Sequence, residues 1–355
     1  MKLLFLTQTL DREDAVLGFV SRWIQGFAKH CETVRVVALE VGDTSDMPAN
    51  VEWREVGRKG KLGRYLRYKK FLKEAFEQDG FDTVLGHMVP RYSLLASGPA
   101  KRAGVNEYLW YTHAGVDARL RKAVGLVHKV FTATEESLRV ETSNKLVTGH
   151  GIDLQHFDHD SAPEEAPRRL VSVGRLTPRK DPISVLKALG TLVQEGMDLH
   201  LDLIGAGLTE ADDGYGQEVS REIEQLGLLE RVTLHGSVPY IKIPPYYQRS
   251  SLVVNASLTG SLDKVTLEGM ASRRPVISCN DTAPALFREL GEDAAGLYFP
   301  AGDVKALTDC LRTQLTKTQA QRDELGSRLR GIVARDHEVD VLMGRLVREM
   351  GGVLA

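Results

Sequence analysis

The sequence predicts an α/β protein made of two doubly wound domains. Its 355 residues exceed what one hydrophobic core usually supports. In both halves short apolar runs alternate with helical patterns, as expected for parallel βαβ units. The alternation breaks once, at the polar and proline-containing stretch LQHFDHDSAPEEAPR. We therefore expect domains at 1–153 and 169–335, joined by a linker at 154–168.

Ten runs predict the strands. They are KLLFLTQ, TVRVVALE, FDTVLGH, EYLWYTH and KVFTATE in the first half, then RRLVSVGR, LHLDLIGAG, RVTLHGS, SLVVNAS and RPVISC in the second. Two such sheets leave a cleft between the domains, and ligands of these sheets bind beyond the carboxyl ends of the strands. The tail at 336–355 predicts a terminal amphipathic helix.

The composition limits the protein's class and location. The chain is 42% hydrophobic and 26% charged, which is typical of a globular protein. It has no apolar stretch of about 18 residues, and its first residues predict a strand and no signal peptide. Three scattered cysteines give neither a disulfide framework nor metal-ligand spacing, which favours the cytoplasm and no metal. The net charge of -2 argues against nucleic acid as a partner.

The first candidate site follows the strand LVSVG. In GRLTPRKD, Gly174 ends the strand, Arg175 can place two donors on phosphate oxygens, and Lys180 adds a point charge. These residue types predict a diphosphate site. A solvated charged loop is the alternative interpretation.

Two more strand ends carry glycines. Gly205 and Gly207 in LIGAG would let a ligand approach the backbone, although plain turns use the same residues. His235 in LHGSVP follows another strand, where it would line a base-binding wall or simply pack against the fold.

The stretch TGSLDKVTLEGMA places a polar loop at the start of a helix. Gly260, Ser261, Asp263 and Lys264 lie at the helix N-terminus, where backbone N–H groups bind anionic oxygens. Glu268 lies one turn further in, among apolar neighbours, so it requires a hydrogen-bonding partner. A pair of ligand hydroxyls, as on ribose, is one such partner.

Together GRLTPRKD, LIGAG, LHGSVP, VTLEGMASRRPVI and GLYFPAGDVKAL resemble the nucleotide-binding domain of family-4 glycosyltransferases. The resemblance implies a retaining enzyme of the GT-B fold, with two Rossmann-like domains facing a cleft and the C-terminal helix returning to the first domain. It implies that Arg175 and Lys180 hold the donor diphosphate and that Glu268 holds the ribose hydroxyls. The nucleotide-diphosphate sugar is then a substrate, and no cofactor is expected.

One position departs from the family pattern. The family has two glutamates separated by seven residues, and Gly260 stands where the first is expected. In the family that acid lies near the hydroxyls of the transferred sugar. Here Asp263 or Ser261, with backbone amides, would have to take its place.

The first half carries fewer motifs. It lacks a dinucleotide fingerprint, which disfavours a dehydrogenase. Gly18 begins the helix GFVSRWIQGFAKH and would admit an acceptor or phosphate close to the backbone. His113 in EYLWYTHAGVD resembles the family's active-site histidine near the reacting sugar. His87 in VLGHMVPRY also ends a strand and would line the cleft or pack inside the domain.

A basic segment runs from Arg54 to Lys73 and holds nine Lys and Arg residues. Basic side chains interleaved with aromatic and apolar ones bind anionic membrane surfaces, but they also form solvated helices whose apolar residues pack inward. The membrane hypothesis predicts a peripheral protein at the inner membrane face, with these contacts: Arg64, Arg67, Lys69 and Lys70.

These features predict a glycosyltransferase that moves a sugar from a nucleotide-diphosphate sugar to a glycan or lipid-linked acceptor. The donor would bind mainly to the second domain and the acceptor to the first. Two alternatives remain: a degenerate partner subunit that binds nucleotide without turnover, and a GT-B epimerase or hydrolase that uses no separate acceptor.

Overall fold

The computed structural model describes residues 1–158, 168–207 and 210–354, without the side chains of 210–213. The chain forms two compact units. The first unit comprises 1–151, 239–241 and 337–355, and the second comprises the remaining described residues. The predicted linker falls largely on residues 159–167, which lie outside the described residues.

Each unit is built on one sheet of parallel strands. The first sheet has the order β3-β2-β1-β4-β5-β6-β7 and the second has the order β10-β9-β8-β11-β12. The strands of the first sheet are β1 Lys2–Leu10, β2 Thr33–Val41, β3 Val51–Glu55, β4 Thr83–His87, β5 Asn106–Trp110, β6 Lys129–Thr132 and β7 Lys145–Val147. Those of the second are β8 Arg168–Val173, β9 Leu199–Ile204, β10 Val232–Leu234, β11 Leu252–Asn255 and β12 Val276–Ser278.

Helices connect the strands in both units. The α-helices of the described chain are α1 Phe19–Ala28, α2 Lys61–Lys73, α3 Pro90–Ala103, α4 Ala118–Val124, α5 Pro182–Gln194, α6 Glu210–Gln225, α7 Pro244–Gln248, α8 Lys264–Ala271, α9 Ala283–Leu286, α10 Val304–Leu315, α11 Gln319–Asp336 and α12 Val339–Glu349. A π-helical turn covers Glu74–Gln78, and short 3-10 turns cover Pro178–Lys180, Tyr240–Lys242 and Arg288–Ala294.

The side chains of β1 contribute to two apolar clusters, one on each face of the first sheet. Successive side chains of a strand point to opposite faces. Leu3 and Phe5 pack in the cluster formed with α1 and α12. Leu4 and Leu6 pack in the cluster formed with α2 and α3. The sheet is therefore covered on both faces, as its continuous apolar strands predict.

The C-terminal helix α12 packs on α1 within the first unit. Met343 and Leu346 are buried in the core cluster that also contains residues of α1. Asp340 accepts hydrogen bonds from Arg22, at 2.8 Å, and from Lys29, at 2.7 Å. The predicted return of the C-terminal helix to the first domain is confirmed.

The second sheet presents one face to α5, α6 and α10. Buried leucines and valines of β8, β9 and β11 pack in one cluster with apolar residues of these helices. Helix α8 contacts β11 and β12, and α11 contacts α8. The N-terminus of α8 follows the carboxyl end of β11, so the loop TGSLDK lies at the edge of the sheet where ligands of such folds bind.

The predicted α/β class with two parallel sheets is confirmed, and each of the ten predicted runs contains a strand. Two short strands were not predicted, β3 and β7.

Candidate functional site

The loops after β8 and β9 lie in backbone contact. Gly205 has φ +135° and its N–H donates to the carbonyl of Gly236 at 2.8 Å. A Cβ at Gly205 would overlap the carbonyl oxygen of Gly174. Glycine is thus required here by the close approach of the two loops, which fixes the position of the strand end that carries Arg175.

Arg175 is exposed at this edge of the sheet. Its guanidinium makes no hydrogen bond or ion pair with any side chain in the described part of the chain. Gly207, in the loop after β9, is half-buried. Because Arg175 is unpaired, it keeps its full set of donors for an anion from solution.

Lys180 lies across the same edge and joins two segments of the chain. Its ammonium donates to the carboxylate of Asp263 at 2.6 Å and to the hydroxyl of Ser257 at 3.2 Å. Both groups of the pair are largely buried. The structure thus brings the GRLTPRKD loop and the TGSLDK loop together, as their placement after strands predicts.

The start of α8 has an unusual arrangement. Asp263 occupies the position before the helix, but its side chain does not cap the helix. Its carboxylate instead accepts from Lys180 and from Thr259. Gly260 has φ +67° and Ser261 is buried. The first N–H groups of α8 are therefore left without a side-chain cap from Asp263, the condition that makes a helix N-terminus an anion site.

A buried amide network holds this loop, and the sequence reasoning missed it. Asn255 donates to Thr266 at 2.8 Å and to Asn280 at 3.1 Å. Asn280 in turn donates to the carbonyl of Ser257 at 3.1 Å. Each asparagine comes at or just after the carboxyl end of a buried strand, β11 or β12, and that position was the available signal.

Lys264, which is half-buried, and Glu268, which is buried, lie one helical turn apart and interact through their charges. Burial lowers the pKa of the Lys264 ammonium, and the charge of Glu268 opposes this shift. Burial raises the pKa of Glu268, and Lys264 and a hydrogen bond from Tyr247 at 3.2 Å oppose it. Glu268 thus has the hydrogen-bonding partner that its buried position requires.

His235 is held by Asp202, a residue that the sequence reasoning did not single out. The His235 ring donates from Nε2 to the Asp202 carboxylate at 2.6 Å, and Arg249 donates to the same carboxylate. Burial opposes ionisation of Asp202, but the hydrogen bond from His235 and the charge of Arg249 hold its pKa below the usual value. The His235 ring also packs edge-on against Tyr246.

The three candidate residues of the first unit have different surroundings. Gly18 is buried at the start of α1, where a Cβ would lie 2.6 Å from the carbonyl oxygen of Asp14. His87 is 2% exposed, lies 3.2 Å from the Thr7 hydroxyl and stacks on Phe5. His113 is exposed in the loop after β5.

The hydrogen bond of His113 defines its tautomer. The N–H of Gly115 donates to His113 Nδ1 at 2.9 Å. The neutral imidazole therefore carries its proton on Nε2 and is a hydrogen-bond donor there.

The basic segment splits into two groups of side chains. Arg67 turns back onto the chain and donates to the carbonyls of Val56 and Lys59. Lys69 and Lys70 are exposed, as are Leu62 at 71% and Leu66 at 56%. Leu66 therefore does not pack inward, whereas Tyr68 and Leu72 of the same helix are buried, as the solvated-helix alternative predicts. No described helix is long and apolar enough to cross a membrane.

Across the ranges that the structure describes, no three His, Cys, Asp or Glu side chains are grouped as metal ligands. Independence from metal stays a prediction.

Residues 167–317 match the protein-family model described as "Glycosyl transferases group 1". The second unit resembles a group 1 glycosyltransferase domain. The matched range contains every candidate residue from Gly174 to Glu268. A D-inositol 3-phosphate glycosyltransferase of Corynebacterium glutamicum (strain R) is 26% identical over 176 residues. That alignment covers 47% of this chain and 42% of the relative, so it spans less than half of either protein.

Two solved structures resemble the whole chain. Anabaena HepE in complex with UDP superposes with a TM-score of 0.80 at 17% identity, covering 99% of this chain and 100% of HepE. A sucrose-phosphate synthase from Thermosynechococcus elongatus gives a TM-score of 0.80 at 15% identity, covering 99% of both chains. At these identities the likeness concerns the fold. The chain thus has the two Rossmann-like domains of the GT-B fold.

Proposed function

We propose that this protein is a glycosyltransferase that moves a sugar from a nucleotide-diphosphate sugar to an acceptor. The observation that carries the proposal is the meeting of Lys180 with Asp263 at the N-terminus of α8, beside the unpaired Arg175. Cations and helix-end amides at one strand edge suit a diphosphate, whose charge increases as the sugar departs. The group 1 match over 167–317 and the UDP bound to HepE support this choice of ligand.

The finer roles follow the family-4 resemblance. Glu268 accepts hydrogen bonds from the ribose hydroxyls, and Asp263 or Ser261 replaces the carboxylate that is missing at Gly260. His113 donates from Nε2 to a hydroxyl of the reacting sugar. The transfer proceeds with retention of anomeric configuration and without a metal ion.

A nucleotide screen tests the donor class. UDP, GDP, ADP and their common sugar conjugates are compared by thermal shift, each at a concentration far above an expected Kd. A ligand present at about 100 times its Kd stabilises the folded state by about 2.7 kcal/mol. We expect one nucleotide family to raise the melting temperature. No shift with any of them would contradict the donor site.

Product analysis then separates the reactions. With the identified donor, we expect a glycoside to form only when an acceptor is present, and NMR to show the anomeric configuration of the donor. Release of free sugar or an epimer without acceptor would assign a hydrolase or epimerase instead. Binding without turnover would assign a degenerate partner subunit.

We also propose that α2 contacts an anionic membrane surface. Exposed Leu62 and Leu66 beside Lys69 and Lys70 supply apolar area and positive charge on one short helix. We expect cosedimentation with anionic vesicles that salt abolishes and that Lys69→Ala/Lys70→Ala weakens. Arg67→Ala is the control, because Arg67 is occupied by backbone carbonyls. Equal binding to neutral vesicles would contradict the proposal.

A further inference from the structure

The first unit contains a cavity of about 570 Å³ beneath α2 and α3. It lies towards the carboxyl ends of β1 and β2, where the core layer between the sheet and these helices is not closed. Its apolar walls consist of Leu39, Val56, Tyr65, Tyr68, Tyr92 and Leu95. Five of these residues, Leu39, Val56, Tyr68, Tyr92 and Leu95, belong to or pack against the core cluster of this face. The volume falls within the range of small-molecule sites, roughly 300 to 1,000 Å³.

Two aromatic rings form one wall of the cavity. Tyr68 and Tyr92 stack with centroids 5.7 Å apart and planes inclined by 19°. Burial raises the pKa of the Tyr92 phenol to about 12, and the charges of Arg64 and Arg91 oppose this shift. Arg64, Arg91 and Tyr92 line the same cavity, so the apolar wall and the positive charge belong to one site.

The rim of the cavity carries an excess of positive charge. Its charged residues are four cations, Lys61, Arg64, Arg91 and Arg119, and one acid, Asp117. Asp117 already accepts from the N–H of Leu120 at 2.7 Å as the cap of α4. None of the four cations forms an ion pair with another residue that the structure describes. The four unpaired cations attract an anion, and the apolar walls hold an apolar body next to it.

We propose that this cavity binds a phosphate ester of an apolar alcohol. The apolar body lies against Tyr68 and Tyr92, and the phosphate lies at the rim near Arg64 and Arg91. A neutral glycan does not suit the site, because it would leave the four rim cations without an anion. The assignment of this ligand as the acceptor, or the acceptor's anchoring group, rests on the proposed glycosyltransferase function. The binding itself does not.

Calorimetry on the full chain with three octyl compounds tests the chemistry. Octyl phosphate, octanol and octyltrimethylammonium are titrated below their micelle concentrations. We expect saturable binding of octyl phosphate, binding of octanol weaker by at least about tenfold, and no binding of the cationic compound. Equal affinity for octyl phosphate and octanol would overturn the proposal. So would the absence of saturable binding with both octyl phosphate and a long-chain isoprenyl phosphate in neutral vesicles.

A matched pair of variants on α3 tests the site. Arg91→Ala removes a rim cation, and Arg102→Ala removes an exposed arginine of the same helix that does not line the cavity. We expect octyl phosphate to bind roughly fivefold more weakly to Arg91→Ala and unchanged to Arg102→Ala. Leu95→Trp fills the cavity and should abolish binding while circular dichroism shows a folded chain. Equal loss in both arginine variants would show binding by general surface charge and overturn the site.

Two further measurements identify the source of the ligand and test the cavity independently of the proposed enzyme function. Binding of monomeric octyl phosphate indicates that a soluble phosphate ester suffices. Binding only of a long-chain isoprenyl phosphate in neutral vesicles indicates a lipid-linked source, and either result supports the cavity. Nucleotide shifts measured on the same preparation report the second unit. Nucleotide binding without any phosphate-ester binding overturns the cavity alone, and the reverse result overturns the donor site alone.

Discussion

The ammonium of Lys180 lies 2.6 Å from the carboxylate of Asp263, although the two residues are 83 positions apart. The cation that we assign to a donor diphosphate is therefore already paired with the acid that precedes α8. A diphosphate must compete with Asp263 for this charge, or share it. In the donor site that we propose, the ion pair would thus link the residue assigned to the diphosphate with the residue assigned to the sugar.

Arg175→Ala should weaken nucleotide binding by roughly 10- to 100-fold. Arg175 is the unpaired guanidinium at the strand edge, and hydrogen bonds to charged groups contribute roughly 1.5–3 kcal/mol. Calorimetry with the nucleotide identified by the screen measures the effect. Arg179→Ala is the matched control, since Arg179 is an exposed arginine of the same loop. An equal loss in both variants would indicate a general charge effect and contradict the assigned role.

Asp263→Asn should have opposite effects on binding and transfer. The amide keeps the shape of the side chain but removes the charge that holds Lys180, so free nucleotide diphosphate should bind roughly 3- to 10-fold more tightly. If Asp263 also meets the transferred sugar, kcat should fall while the nucleotide affinity rises. Ser257→Ala serves as the comparison, because it removes the other, neutral acceptor of Lys180. Weaker nucleotide binding by Asp263→Asn would show instead that the pair only positions Lys180.

Gly260→Ala should lower the free energy of unfolding of the second unit by about 1–2 kcal/mol. Gly260 has φ +67°, a conformation that residues with a Cβ adopt only at this cost. The family glutamate is therefore incompatible with the loop conformation seen here without strain. Gly331→Ala makes the same chemical change inside α11, where a Cβ meets nothing within 4 Å. It should stabilise the unit by up to about 1 kcal/mol. Thermal unfolding of the two variants should shift in opposite directions, and shifts of the same sign would contradict the prediction.

The sequence predicts the strands well wherever the apolar run is continuous. The two missed strands lack this signal: β3, VEWRE, mixes charged residues with Trp53, and β7, KLV, is flanked on both sides by polar residues in SNKLVTGH. Both lie at the edges of the first sheet. Edge strands are buried on fewer sides, so less of their sequence is constrained to be apolar.

The sequence locates the site's loops but not the pairings within it. GRLTPRKD and TGSLDK follow strands, so their meeting at one sheet edge is predictable from topology. The Lys180–Asp263 pair and the Asn255–Asn280 hydrogen bond depend on how distant segments pack. The same is true of His235, whose partner Asp202 is hidden in the interior of a strand. Single-sequence patterns carry no information on such long-range partners.

Because of Glu107, the free energy of unfolding of the first unit should fall as the pH rises. Burial raises the pKa of Glu107 to about 7, and a hydrogen bond from Ser97 opposes this shift. In the unfolded chain the carboxyl group has its ordinary pKa of about 4.5. At a pH between these two pKa values, Glu107 is protonated in the folded state and ionised in the unfolded state. Stability therefore decreases as the pH rises from about 4.5 through about 7.

Glu107→Gln should remove this dependence. The amide oxygen still accepts from Ser97, and no charge has to be buried. The two proteins should have similar unfolding free energies at pH 5. At pH 8 the Gln variant should be more stable by on the order of 3 kcal/mol. Urea unfolding at the two pH values measures the difference, and Glu55→Gln, which removes an exposed carboxyl group of β3, is the control. A Glu107→Gln effect of equal size at both pH values would mean that the substitution acts through packing, because only a titrating carboxyl group makes the difference depend on pH.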